Sequence, residues 1–146
     1  MASPIQGQII LCDAAQADPN GKIHILGGGW SVTGSPTAPQ AIAVLLKVPW
    51  DRTNEKIHVT LRLLDSDGHP VTLPTPQGEQ PVRIESDVEV GRPPGVAHGS
   101  NIPAAFAVNI APMPLAPGRY VWEMRAGDTV RDEAFQVVGS APNRTS

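Results

Sequence analysis

From Lys56 to Leu64 every second side chain is aliphatic: Ile57, Val59, Leu61 and Leu63 alternate with His58, Thr60 and Arg62. A period of two puts one set on each face of an extended chain, a pattern that a helix cannot use. The same period returns in Val82–Val90, where Val82, Ile84, Ser86, Val88 and Val90 alternate with Arg83, Glu85, Asp87 and Glu89. Near the end of the chain Tyr120, Trp122 and Met124 alternate with Val121, Glu123 and Arg125. Ala126, Gly127 and Asp128 then make a tight turn, and Phe135 and Val137 supply the apolar side of a returning strand. The 16 prolines and 14 glycines among 146 residues are too dense for long helices but suit short strands separated by turns. The pattern predicts an all-β fold, a two-layer antiparallel β-sandwich of about eight or nine strands. Its core candidates are Trp30, Phe106, Tyr120, Trp122 and Phe135.

The remaining elements fall between these. Gln8 to Gln16 reads as a first strand with Ile10, Cys12 and Ala14 on one side. Asp18-Pro19-Asn20-Gly21 is a hairpin signal, and Lys22 to Leu26 returns with Ile23 and Ile25 inward. Gly27-Gly28-Gly29 breaks that strand and predicts a bulge, or a backbone passing close by, that swings Trp30 toward the core. Residues 33–40 read as a loop and Ala41–Val48 as a strand confined by Pro39 and Pro49, its core face being Ile42, Val44, Leu46 and Val48. A polar turn over 50–55, a turn at Asp65-Ser66-Asp67-Gly68, a short edge strand at Val71–Leu73 and loops at 77–80 and 91–101 complete the order. Phe106, Val108 and Ile110 mark one more strand. The expected domain is 8–139, with a flexible lead at 1–7 and a disordered tail at 140–146. The local match of residues 20–25 with 54–59 is two independent turns running into strands, not a repeat.

Charge and composition remove several functional classes. The net charge is −3 and the 11 basic residues are scattered, so neither nucleic acid nor an anionic membrane surface finds a basic stripe. No stretch has the length of a membrane span, and Met1 to Gln6 lacks the charged start and apolar run of an export signal. Cys12 is the single cysteine, which excludes an intrachain disulfide and points to a cytoplasmic setting.

Residues able to carry chemistry are few. Cys12 falls on an apolar strand face, where a thiol is structural rather than nucleophilic. The glycine triplet lacks the Gly-Lys-Ser/Thr end of a phosphate loop. His24, His58, His69 and His98 are too dispersed for a metal signature, although His24 and His58 both point outward and would be neighbours if their strands paired. The 65–68 segment lacks the remaining oxygen ligands of a calcium loop and reads as a β-turn. The row Arg83, Glu85, Asp87 and Glu89 reads as a solvated sheet face, and Asn143-Arg144-Thr145 as an accidental glycosylation match. No catalytic, metal or cofactor residue is assigned. The 91–101 loop, with Arg92, His98, Ser100 and Asn101, is the candidate binding segment, since loops on a rigid sandwich commonly carry recognition.

Two resemblances add to this. Leu115-x-Pro117-Gly118-x-Tyr120 resembles the entry to the penultimate strand of immunoglobulin-like sandwiches, where such a tyrosine bonds back to the preceding loop. Trp122 stands where antibody domains carry a cysteine, so their intersheet disulfide is excluded. Cys12-Asp13-Ala14-Ala15, Gly21-Lys22 and Leu26-Gly27-Gly28-Gly29-Trp30 resemble the opening of a family of small bacterial proteins of unknown function. That likeness implies a β-sandwich and brings no activity with it. The expectation is a non-enzymatic binding or assembly module that recognises another protein through the 91–101 loop or a sheet edge. The alternative is a small hydrolase or metal-dependent enzyme using Cys12, His98 or the outward histidines. A homodimer would follow if Leu26, Leu45 and Leu64, opposite the regular core series, formed one exposed patch.

Overall fold

The computed structural model describes residues 4–139. Twelve strands are present, with one 3-10 turn at Trp50–Arg52 and no α-helix among the described residues. The larger sheet has five strands in the order β4 (Val32–Thr33), β12 (Thr129–Val137), β11 (Gly118–Ala126), β6 (Ile57–Asp65) and β9 (Arg83–Val88). The smaller sheet has three: β1 (Gln6–Cys12), β5 (Gln40–Val48) and β10 (Ile102–Ile110). Two ribbons are separate, β2 (Ala14–Ala17) with β3 (Ile23–Leu26) and β7 (Thr72–Thr75) with β8 (Gly78–Pro81).

Alternation places the core as the sequence predicts. Trp122 lies between Leu63 of β6 and Glu133 of β12, and Ile42 lies between Leu11 and Val108. Ile57, Val59, Leu61, Leu63, Trp122 and Met124 of the larger sheet face Ile42, Val44, Leu46 and Val48 of the smaller, all essentially without solvent contact. Each such aliphatic or aromatic group contributes roughly 1.5–3 kcal/mol by leaving water. Tyr120 closes one end. Its ring stacks on Phe135 at 5.7 Å, and its Oη donates to the Ala116 carbonyl at 2.7 Å, the bond back to the loop that the Pro-Gly-x-Tyr segment implies. Phe106 is only half-buried, because it lies on the edge strand β10 and has no neighbour on its outer side.

β5 is covered on both faces, which explains its unbroken apolar run. Its second face, Ala41 and Ala43, packs with Cys12 and Ala15 beneath the β2–β3 ribbon, flanked by Ile10, Ile23, Ile25 and Leu45. Small side chains are needed there because the ribbon lies directly on the sheet. Gln40, the first residue of β5, is 3% exposed, and neither atom of its carboxamide has a hydrogen-bond partner.

The structure revises the sequence reading in several places. The expected first strand is two, β1 and β2, broken at Asp13, whose N–H donates to the Leu26 carbonyl. The break shifts the phase by one residue, so Ala15 rather than Ala14 is buried. β1 begins at Gln6 and Ile5 is already in the core, inside the stretch expected to lead into the domain. Residues 77–80, expected as loop, mostly form β8, and Gly78 adopts φ +96° at its start. β4, which ends on Thr33 at the start of the expected 33–40 loop, pairs parallel with β12, so the sandwich is not wholly antiparallel. These short additions raise the strand count above the expected eight or nine. The glycine triplet does mark a close approach: Gly29 N–H donates to Leu11 O at 2.7 Å, and a Cβ on Gly27 would overlap the Asp13 carboxylate. Trp30 then packs edge-on against Phe135 at 5.4 Å and donates its Nε1–H to the Cys12 carbonyl. Residues 140–146, including Asn143-Arg144-Thr145, lie outside the described residues.

Candidate functional site

Five strands face three, so the sheets do not match in width. β1 packs against β12, and Thr129 Oγ1 donates to the Ile5 carbonyl, which closes that side. On the other side β9 and β10 each end their sheet. Between them lies a groove of about 710 Å3, lined by Val88–Pro93, by Ile102–Ala105 of β10 and by the Asp18–Gly21 turn of the ribbon. Gly21, at φ +83°, seats that turn so close to β10 that a Cβ would stand 3.1 Å from the Pro103 carbonyl. The inward residues of β9 and its extension, Ile84, Val88 and Val90, are half-buried, as are Phe106, Val108 and Ile110 of β10.

The 91–101 loop crosses from one sheet to the other at the end of this groove, and the 3-10 turn holds it. Arg92 lays its guanidinium over the Trp50 ring, 4.2 Å from the centroid, while Nη2 donates to Trp50 O and Nε to Thr53 Oγ1. The His98 ring meets Trp50 at 4.9 Å, and the Asn54 N–H donates to Val90 O. Arg92 and His98 are thus brought together on one indole, in a role that is first structural. Ser100 sits in a turn, its N–H bonded to Ala97 O. Asn101 joins His98 in a second cavity of about 360 Å3 with Pro4, Gln6 and Trp50. Sequence reasoning missed Trp50, read as part of a polar turn. No local signal joins Trp50 to an arginine 42 residues on, although such a pair commonly stacks once the fold brings it together.

The other candidates lie apart. Cys12 is fully buried, its Sγ–H directed at Ala41 O, and burial together with the Asp13 charge pushes the thiol up, away from the thiolate. His24 stands 3.7 Å from Asp18, His69 3.9 Å from Asp65, and His98 lies on Trp50. His24 and His58 are not neighbours, since their strands lie in different sheets. Asp65, Asp67 and His69 place ligand-type atoms within 4.8 Å of one another, but Asp65 Oδ1 accepts the N–H groups of Asp67 and His69, as in an ordinary Asx turn.

On the outer face of the larger sheet, His58 bridges two carboxylates. Nδ1 lies 2.9 Å from Asp87 Oδ1 and Nε2 3.1 Å from Glu85 Oε1, contacts that hold the imidazole above its ordinary range. Arg83, followed by His58, holds the Glu85 carboxyl below its ordinary range. Farther along, Arg62 and Arg125 both bond Glu123. The three leucines expected to form one patch do not: Leu26 is 70% exposed, Leu45 lies half-covered under the ribbon, and Leu64 is buried.

No described helix is long and apolar enough to cross a membrane. A family model described as "Family of unknown function (DUF6941)" matches residues 8–137. No curated protein matches the chain.

Proposed function

The chain belongs to that family of unknown function, and from this premise we propose that it is a non-enzymatic binding module that takes an extended segment of a partner protein along the open side of its sandwich. The strand order supports an immunoglobulin-like frame: β1-β5-β10 opposite β12-β11-β6-β9, with β4 alongside β12. The observation that carries the reading is the groove flanked by two unpaired sheet edges. β10 ends its sheet with nine residues that carry no charged side chain, touched by the β2–β3 ribbon at Pro103 and Asn109, and an edge of this kind is one that proteins ordinarily cover or charge. The 91–101 loop, braced on Trp50, forms the wall at one end. A single, buried Cys12 fits the cytoplasmic setting proposed with it.

The test is site-directed photo-cross-linking in cells, with the reactive side chain at Val88 or Ala105 in the groove, or at Val130 on the far strand. A discrete adduct from the first two positions and none from Val130 is expected. Adducts from Val130 alone would move recognition to the other face and end the proposal.

A further inference from the structure

We infer that the groove selects a single extended segment with apolar residues at alternate positions and a basic residue at the end nearest Asp18 and Glu89. This rests on the binding reading above and specifies its partner.

A strand added to β10 would lie about 4.8 Å beyond it and about 10 Å from β9, the ordinary spacings within and between sheets. It would therefore complete the cover over β9, whose inward side chains at present pack only partly against the core. Ile84, Val88 and Val90 wait there half-covered at alternate positions, while Arg83, Glu85 and Asp87 make their contacts on the other face, and Glu89, just past the end of β9, lines the groove. A guest strand meets that row only with one of its own faces, so every second residue of the guest must be apolar. Ser86 interrupts the row with a small side chain and leaves the most room at the middle.

The slot is one strand wide, and this decides against a second copy. A copy that brought its own β10 alongside would also bring its own overhanging β9 into the same space. The outer rows, in which Glu85 and Asp87 are already matched by Arg83 and His58, add little to that steric exclusion. The charge at the mouth gives the guest its direction. Asp18, whose Oδ1 accepts the Asn20 and Lys22 N–H groups and whose Oδ2 stands 3.7 Å from His24, and Glu89 both line the groove, and the one cation lining it, Arg92, is engaged with Trp50 and Thr53. Pro103 has no N–H to offer, so backbone pairing at that end is thin and a charge contact there adds direction.

The experiment titrates the isotope-labelled protein with three acetylated nonapeptides and follows amide shifts. The first is Lys-Lys-Val-Thr-Val-Thr-Val-Thr-Val. The second has the same composition with its valines contiguous, and the third replaces both lysines by glutamate. Expected are shifts confined to 84–93 and 102–110 with the first peptide, and at least about tenfold weaker binding of the other two, as loss of one well-buried side chain or one charge contact brings. Val88→Asp should abolish binding while Val130→Asp leaves it intact. Equal binding of all three at β10 would overturn the alternation and charge rules yet leave edge recognition standing. No shift at β9 or β10 with any peptide would overturn the inference, and the cross-linking then judges the binding reading independently.

Discussion

Replacing Gln40 by methionine should stabilise the protein, although it changes a core residue. Gln40 points into the core at the start of β5, 3% exposed, with both Nε2 and Oε1 unpartnered. A buried polar group left unsatisfied costs about 1–3 kcal/mol, and the carboxamide contains two such groups. Methionine has nearly the same length and flexibility, so the cavity term is small. Imperfect packing of the new thioether offsets part of the gain, which leaves about 1–3 kcal/mol net. For a chain of 146 residues that is a rise in Tm of roughly 4–10 °C. Urea unfolding followed by tryptophan fluorescence measures it directly, with the midpoint moving up and the slope unchanged. The neighbouring control has the opposite sign. Thr37, 1% exposed, accepts the Met113 N–H at 2.8 Å, so Thr37→Val orphans a buried donor and should cost about 1–3 kcal/mol. If Gln40→Met loses stability by as much as Thr37→Val, the amide is satisfied in solution and the reasoning fails.

Other outcomes follow from single contacts. Tyr120→Phe removes the Oη bond to Ala116 while keeping the stack on Phe135, so it should cost about 0.5–1.5 kcal/mol in the same urea assay. His58 should titrate above the ordinary histidine value of about 6.5 by NMR, and Asp87→Asn should bring it down. Because the folded value is raised, the stability His58 adds is fully present below about pH 6.5 and is lost as pH climbs through the folded value; His58→Gln should flatten that slope. Cys12 should react with a thiol reagent only on unfolding, with burst labelling of the native protein counting against its burial.

Side-chain alternation reported which face is apolar wherever a strand runs unbroken, as it does not at Asp13. β6, β9, the β11–β12 hairpin and the Tyr120 contact were legible for that reason, since each depends on residues close in sequence. Alternation says nothing about which strands become neighbours. That Phe106 is half-covered follows only from β10 being an edge, and the groove only from five strands meeting three. The break at Asp13 was hidden because residues 9–12 are apolar on both sides, with no phase to lose. Ala41 and Ala43 were the sign that something lies on the outer face of β5, since small residues at alternate positions leave room for a ribbon. The 91–101 segment was legible as a loop from its lack of periodicity, but its anchor, Trp50, is about forty residues away and only the fold joins them.

The ribbon over β5 has a thermodynamic consequence for any guest. With the larger sheet beneath and β2–β3 above, the strand that β10 leans on is clamped from both sides before anything arrives. On the proposed reading the lip of the groove is ready-made, and the disorder surrendered on association would belong almost entirely to the incoming chain. Stiffening that chain beforehand should tighten the complex, whereas stiffening the host should change little.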